Sequence, residues 1–274
     1  MCPGALVAMN KSIIITGAAG GLGRAIVRGC LNAFPEHTII ATDIHPDLKG
    51  HTGDRVLGLQ LDVTDEDSIR SVRAEVESRE LKIWGIVNNA GVSDFFPITE
   101  TDKKTLESMF SINSFGPVNM VRAFLSHLIE TKGRVVNISS ESVRLPAAFH
   151  PYANTKIALE ALSTSMRQEL ALKGVKLSMI RPGAINTPFL DDLHDLKDRI
   201  GESEYAENLK NFAIKAPKQI HRVAEADEVA AVAIKALLKK KPKPYYRVNN
   251  NPMLRIAQLL PHSLRDYFML KMLK

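Results

Sequence analysis

Between Ser139 and Lys156 the chain holds residue types that could move a proton. Tyr152 and Lys156 are four residues apart. On a helix that spacing stacks them on one face, one turn apart. An ammonium beside a phenol favours the phenolate and lowers the phenol pKa. A tyrosine tuned this way can pass a proton near neutral pH. Upstream, the hydroxyl pair Ser139 and Ser140 follows the apolar run 134–138. A serine at that strand end can hold the substrate oxygen that the phenol addresses. The spacing alone is weak evidence, since Tyr267 and Lys271 repeat it with no serine-ending strand before them.

A second chemical signal lies near the start of the chain. The run Ser12 to Thr16 reads as a buried strand and leads into Gly17-Ala-Ala-Gly-Gly-Leu-Gly23, then a helical pattern from Arg24 to Ala33. Strand, glycine turn and helix in that order suit a dinucleotide phosphate. Gly17 permits the turn, Gly21 lets the backbone approach a pyrophosphate, and Gly23 lets helix and sheet pack closely. The free N–H groups and positive dipole of the helix start would face the phosphates. Asp43 ends the next strand, 20 residues past Gly23. A carboxylate there accepts both ribose hydroxyls and repels a 2′-phosphate. No cation occupies positions 18, 19 or 44, and position 45 is His. NAD is therefore expected over NADP. The competing role for Asp43 is a strand-end cap.

The scaffold for these residues follows from the hydrophobic pattern. Short apolar strands at 12–16, 38–43, 56–61, 82–87, 133–138, 175–180 and 245–248 alternate with helical segments. That alternation predicts one α/β domain, a parallel sheet with helices on both faces. Asp65 reads as the cap of a helix to Arg79, and Pro151 as the start of the helix bearing Tyr152. Residues 102–130 read as one long helix with Asn113 on its apolar face. Gly116-Pro117 just after suggests a local kink that frees a carbonyl, against the simpler reading of Asn113 as a satisfied core amide. Residues 189–215 are polar and acidic and read as a mobile helical lid. Asn88-Asn-Ala-Gly91 at a strand end suits a backbone pressed against a cofactor, or an ordinary Asn-rich turn.

Composition bounds the remainder. The 274 residues are 45% hydrophobic and 24% charged, ordinary for a globular chain. Two cysteines and scattered histidines give no metal-ligand spacing, and a reducing, cytoplasmic setting is expected. No apolar run reaches the length of a membrane span, and the first residues do not read as a signal peptide. The net charge of +6 sits in the tail: residues 235–274 hold ten Lys/Arg against Asp266 alone, so the body is −3. That argues against nucleic-acid binding. Residues 251–274 interleave apolar and basic side chains, with Pro261 splitting two helices. Such a segment can lie on a membrane surface, cover a substrate cleft or form a subunit contact.

Together these residues resemble the short-chain dehydrogenase/reductase family over about residues 11–250, near its retinol- and hydroxysteroid-dehydrogenase-like members. Thr16 to Gly23 is similar to the family's Thr-Gly-x-x-x-Gly-x-Gly motif, Asn88 to Gly91 to its Asn-Asn-Ala-Gly motif, and Pro182-Gly183 with Thr187 to its nicotinamide loop. Asn113, Ser140, Tyr152 and Lys156 match its catalytic tetrad in order. The usual Ser-to-Tyr spacing selects Ser139, whereas strand position selects Ser140, which is preferred because strand position fixes where the hydroxyl points.

The resemblance implies a Rossmann-type doubly wound sheet of about seven strands in the order 3-2-1-4-5-6-7. It implies a domain 1–250 with the lid at about 188–216, followed by the extension 251–274. The cofactor set would be Gly17, Gly21, Leu22, Gly23 and Asp43; Asp62 and Val63; Asn89, Ala90 and Gly91; Tyr152 and Lys156; then Pro182, Gly183, Ile185 and Thr187. Hydride transfer between NAD and a hydroxyl-bearing carbon follows, with Tyr152 as acid/base, Lys156 lowering its pKa, Ser140 orienting the substrate oxygen and Asn113 holding a water. Apolar loops at 91–97 and 141–151 suggest a retinoid, steroid or lipid-like alcohol or ketone, or else packing against lid or subunit. A homodimer or homotetramer is implied. The alternatives are a catalytically silent dinucleotide sensor and a membrane-surface scaffold.

Overall fold

The structure, a computed structural model, describes residues 10–46, 48, 53–186, 196 and 198–274. Thr187, most of the first part of the expected lid, and the N-terminal segment lie outside the described residues.

Seven strands, β1 (Lys11–Thr16), β2 (Thr38–Asp43), β3 (Val56–Gln60), β4 (Lys82–Asn88), β5 (Arg134–Ile138), β6 (Lys176–Pro182) and β7 (Tyr245–Val248), form one sheet. Their order is β3-β2-β1-β4-β5-β6-β7 and every pairing is parallel, as expected. The central strands are apolar on both faces, with Ile13, Ile14 and Ile15 fully buried in succession. This is the pattern of a sheet covered on both sides.

Successive strands are added to one side of β1 as far as β3 and to its other side from β4 onward, so the carboxyl ends of the parallel strands on either side of this switch border one crevice. Ligands of doubly wound sheets bind at such a switch point. On one face, helices α1 (Gly21–Ala33) and, near the end of the domain, Ala226–Leu238 pack against Ile13, Ile15, Ile39 and Val136. On the other face lie α2 (Glu66–Ser78) and the segment that follows β4, against Ile14, Ile40, Ile86 and Val135. Asp65 caps α2 by accepting from the Asp67 N–H.

The expected single helix over 102–130 is instead three: α3 (Lys103–Phe110), α4 (Gly116–Ala123) and α5 (Leu125–Thr131), with a π-helical turn Ser111–Phe115 between the first two. The cause is in the sequence. Pro117 has no N–H, so the Asn113 carbonyl loses the donor that a regular helix would give it. The backbone widens to an i→i+5 turn in which the Gly116 N–H reaches the Ser111 carbonyl.

Helix α6 (Pro151–Leu172) carries Tyr152 and Lys156 and starts with proline as expected. Then come α7 (Ala206–Lys215), α8 (Ala226–Leu238), α9 (Pro252–Ala257) and α10 (His262–Leu273). A Glu225–Glu228 capping box starts α8, and Pro261 separates α9 from α10. A third apolar cluster joins Phe96, Phe149, Leu209, Phe212 and Leu273. It ties the loops over the crevice to α7 and to the last helix.

Candidate active site

The glycine loop is held to the end of β4 by hydrogen bonds. The Thr16 hydroxyl oxygen accepts from the Asn89 and Ala90 N–H groups, each at 3.0 Å. The Asn89 amide donates back to the Thr16 and Gly17 carbonyls. Gly17 has φ +65, and a Cβ there would stand 2.9 Å from the Ala90 Cα. At Gly23 a Cβ would lie 2.0 Å from the Gly17 carbonyl oxygen. Both glycines are required by close backbone approach. No side chain caps the start of α1 and its first turn carries no acid, so its N–H groups and positive dipole remain available to phosphate.

Gly21 is exposed at the first helical position, whereas the Leu22 side chain is buried in the core; only the Leu22 backbone can serve a ligand. Asp43 stands beside the loop: one carboxylate oxygen accepts from the Ala19 N–H at 2.9 Å and the other from His45 N–H at 3.0 Å. It anchors the strand end, and its carboxylate is held beside the glycine loop, where the ribose is expected from the sequence.

Asp62 and Val63 follow β3. The Asp62 carboxylate accepts from the Thr64 N–H and hydroxyl. Val63 is buried, and a Cβ on Gly116 would come within 2.7 Å of its methyl group. At the far side of the crevice Pro182 is buried and the Gly183 N–H donates to Val248 O. A Cβ on Gly183 would meet Asn249 O at 2.1 Å. Ile185 bridges Ala224 in parallel. The glycine cradle, the uncapped helix start and the Asp43 anion together fit a dinucleotide.

The four proton-handling candidates converge from three elements. Ser140 caps the short turn Glu141–Arg144 after β5; its oxygen accepts from the Ser142 N–H at 3.1 Å and from the Ser142 hydroxyl at 2.9 Å. Its acceptor sites are thus taken, and its own proton is directed to the Tyr152 oxygen, to which it is hydrogen-bonded. Ser139 points the other way. Its hydroxyl donates at 2.6 Å to Glu160, which is paired with Arg181, and the guanidinium of Arg181 lies 4.2 Å from the Tyr245 ring centre.

Lys156 is buried, and its Nζ donates to Ile138 O at 3.0 Å. Burial pushes its pKa down to about 8. It lies 5.5 Å from the centre of the Tyr152 ring. The expected lowering of the Tyr152 pKa by this ammonium is not the dominant effect. Burial raises the phenol, and the Ser140 hydrogen bond pulls it partly back. Desolvation is the larger effect on the phenol.

Asn113 is fully buried, and its side chain is spent. Its Oδ1 accepts from the Val92 N–H, and its Nδ2 donates to Val92 O and to the Thr155 hydroxyl. It is the satisfied core amide, and any water held at this residue falls to its main-chain carbonyl in the π turn. A Cβ on Gly91 would stand 3.1 Å from Asn113 Oδ1 and 3.7 Å from Lys156 Nζ. The absence of a side chain at 91 keeps that corner open.

Three features were not anticipated from the sequence. Asn88, Asn137 and Ser163 form a buried amide–amide–hydroxyl chain across β4, β5 and α6. His150 stacks between Phe95, at 4.7 Å, and Tyr152, at 5.7 Å between ring centres, and burial pushes its pKa down to about 4. Glu141, beside the Gly183 turn, accepts from the Asn251 N–H at 2.7 Å. The position of His150 immediately before Pro151-Tyr152 was the one available signal for its role. Among the described residues no group of His, Cys, Asp or Glu could hold a metal ion.

A profile described as short chain dehydrogenase matches residues 11–197. The chain belongs to this family. Mitochondrial D-beta-hydroxybutyrate dehydrogenase of Bos taurus is 33% identical over 190 residues, which cover 64% of this chain and 54% of that protein. Retinol dehydrogenase 5 of Homo sapiens is 32% identical over 195 residues, covering 67% and 59%. The chain thus spans little more than half the length of these curated relatives. A short-chain dehydrogenase structure from Streptomyces avermitilis superposes with TM-score 0.72 at 27% identity, covering 95% of this chain and 94% of that one. Among the described residues no helix is long and apolar enough to cross a membrane.

Proposed function

We propose that this short-chain dehydrogenase moves a hydride between NAD(H) and the hydroxyl- or carbonyl-bearing carbon of an apolar alcohol or ketone, with Tyr152 as general acid/base. The observation that carries the reading is the Ser140–Tyr152 hydrogen-bonded pair with the buried Lys156 behind it, placed at the sheet's switch point. The dinucleotide, when bound, supplies the hydride acceptor or donor and, oxidised, a positive charge that favours the phenolate.

Each residue has a part in this reading. Gly17, Gly21 and Gly23 admit the phosphates, and Asp43 accepts the ribose hydroxyls. The same Asp43 carboxylate would face a 2′-phosphate as a like charge, which favours NAD. Ala90, Gly91, Pro182, Gly183 and Ile185 border the nicotinamide half. On substrate binding Ser140 would turn its proton from the Tyr152 oxygen to the substrate oxygen beside it. Burial keeps the phenol protonated, the form that donates to a ketone oxygen; in oxidation the phenolate takes the hydroxyl proton as hydride leaves carbon. Lys156 would help carry the proton away from the phenol after oxidation and back to the phenolate after reduction, and would hold the nicotinamide ribose.

The apolar substrate class rests on the aromatic wall packed between the loops beside His150 and helix α7. Phe95, Phe96, Phe149 and Phe212 lie together beside the neutral His150. Such a wall favours retinoid, steroid or other lipid-like groups over charged ones. The reading includes a homodimer or homotetramer, which sedimentation velocity tests directly.

Formation of NADH from NAD and a panel of retinoid, steroid and aliphatic alcohols, beside Tyr152→Phe, is the test. Turnover lost in the variant, by about a hundredfold or more, supports the assignment. Undiminished turnover in Tyr152→Phe moves the acid/base elsewhere. Tight NADH binding without turnover on any alcohol or ketone would leave a dinucleotide sensor.

A further inference from the structure

Residues 251–274 are fastened to the catalytic body on their inner side. The Asn251 N–H donates to Glu141, and Arg144 donates to Gln258 at 3.0 Å. Leu273 is buried, with Met269 and Met272 packed beside it against Leu209 and Phe212. Three side chains of α7 cap the end of α10: Asn208 donates to Leu273 O, Asn211 to Leu273 O and Lys274 O, and Lys215 to Met272 O. The segment is therefore part of the lid's rear wall.

Its outer side is apolar and uncovered. Leu264, Tyr267 and Phe268 fall at i, i+3 and i+4 on α10, and Lys271 follows at i+7, so all four share a face. Phe268 is 54% exposed and Tyr267 57%. Leu259, in the turn between α9 and α10, is 84% exposed, and Met253 and Ile256 continue the surface on α9. A helix apolar on both sides is ordinarily buried on both. Here one side is buried against α7, and the other has no partner among the described residues.

We propose that the outer face of α9 and α10 docks on an anionic lipid bilayer. Charge selects this occupant. The segment carries Arg255, Arg265, Lys271 and Lys274 against Asp266 alone, and Lys271 shares the face of the exposed aromatics. Basic side chains around Leu, Tyr and Phe match an interface where the apolar groups enter the acyl boundary and the cations meet headgroups. A second copy fits less well. A two-fold contact through this face would set its lysines against one another, which costs specificity and affinity. The proposal stands apart from the reaction assigned above.

The test is co-sedimentation of the full chain with vesicles of phosphatidylcholine alone and of phosphatidylcholine with phosphatidylglycerol, without substrate or cofactor. Circular dichroism melts confirm that each variant is folded. Strong partition onto the anionic vesicles is expected, weakened at high salt. Tyr267→Ser with Phe268→Ser should lower the partition coefficient by about tenfold or more, because two interfacial aromatics are lost, and Lys271→Glu should lower it on anionic vesicles only. No binding to anionic vesicles overturns the proposal, as does equal binding by the folded aromatic double variant. A wild-type dimer that the same double variant converts to monomer, with no vesicle binding, assigns the face to a second copy instead.

Discussion

Lys156 should make the stability of this protein rise with pH in a range where most proteins are flat. Its ammonium titrates at about 8 in the fold, against 10.5 in the free side chain. Above the unfolded value neither state carries the proton, and burial costs nothing electrostatically. As pH falls toward the folded value, the unfolded chain takes up a proton that the native state refuses, so stability is lost. At about 1.36 kcal/mol per pH unit, this linkage amounts to about 1.3 kcal/mol between pH 7 and pH 9. Lys156→Met keeps the volume and removes the titration. The difference in unfolding free energy between wild type and variant, from urea melts, should therefore move by about 1.3 kcal/mol in favour of the wild type from pH 7 to pH 9. Comparing the two proteins cancels the opposing effect of Cys30, whose thiol burial pushes up to about 12. The lost hydrogen bond to Ile138 adds a constant that drops out of the slope. A pH-independent difference would refute the claim that burial governs this amine.

Three further outcomes follow from single contacts. Asp43→Ser removes the anion from the ribose position and should shift the ratio of kcat/KM for NADP over NAD upward by about tenfold or more. Gly183→Ala places a Cβ 2.1 Å from the Asn249 carbonyl oxygen and should cost about 3 kcal/mol, a fall of roughly 10 °C in Tm by calorimetry. Glu160→Gln leaves the half-buried Arg181 without its anion and should destabilise by about 2 kcal/mol in denaturant melts. In that variant the Ser140-to-Tyr152 contact stays intact, so kcat of the folded protein should change little. A large fall in kcat at unchanged stability would give Ser139 the catalytic role.

Much of the scaffold could be read from residue order because each strand is a short apolar run and each crossover a helical period. The strand at 245–248 and the split at Pro261 were visible for the same reason. The single helix over 102–130 was misread because periodicity is insensitive to one added residue per turn, although Pro117 already announced which carbonyl would lose its donor. The site residues were legible as types in order, but their electrostatics were not. The Tyr152–Lys156 spacing suggests an ammonium at the phenol oxygen, whereas the backbone of β5 captures that ammonium and the phenol is governed by burial. The choice between Ser139 and Ser140 turned on which side of β5 each hydroxyl faces, and Glu160, 21 residues further on, shows where Ser139 went. The Asn88–Asn137–Ser163 chain depends on contacts between distant segments, for which a single sequence has no signal, and His150 showed only its place beside Pro151-Tyr152.

One apolar cluster and three capping side chains join α7 to α10, so the two helices are packed as one unit. Whatever displaces one displaces the other. Thermodynamic linkage then requires reciprocity: if occupancy of the crevice shifts the position of α7, any surface that prefers one position of α10 must change the affinity for the occupant, and the occupant must change the affinity for that surface by the same factor. Hydrogen exchange would register the coupling as common protection of residues 206–215 and 262–273, slowing together when either side is engaged.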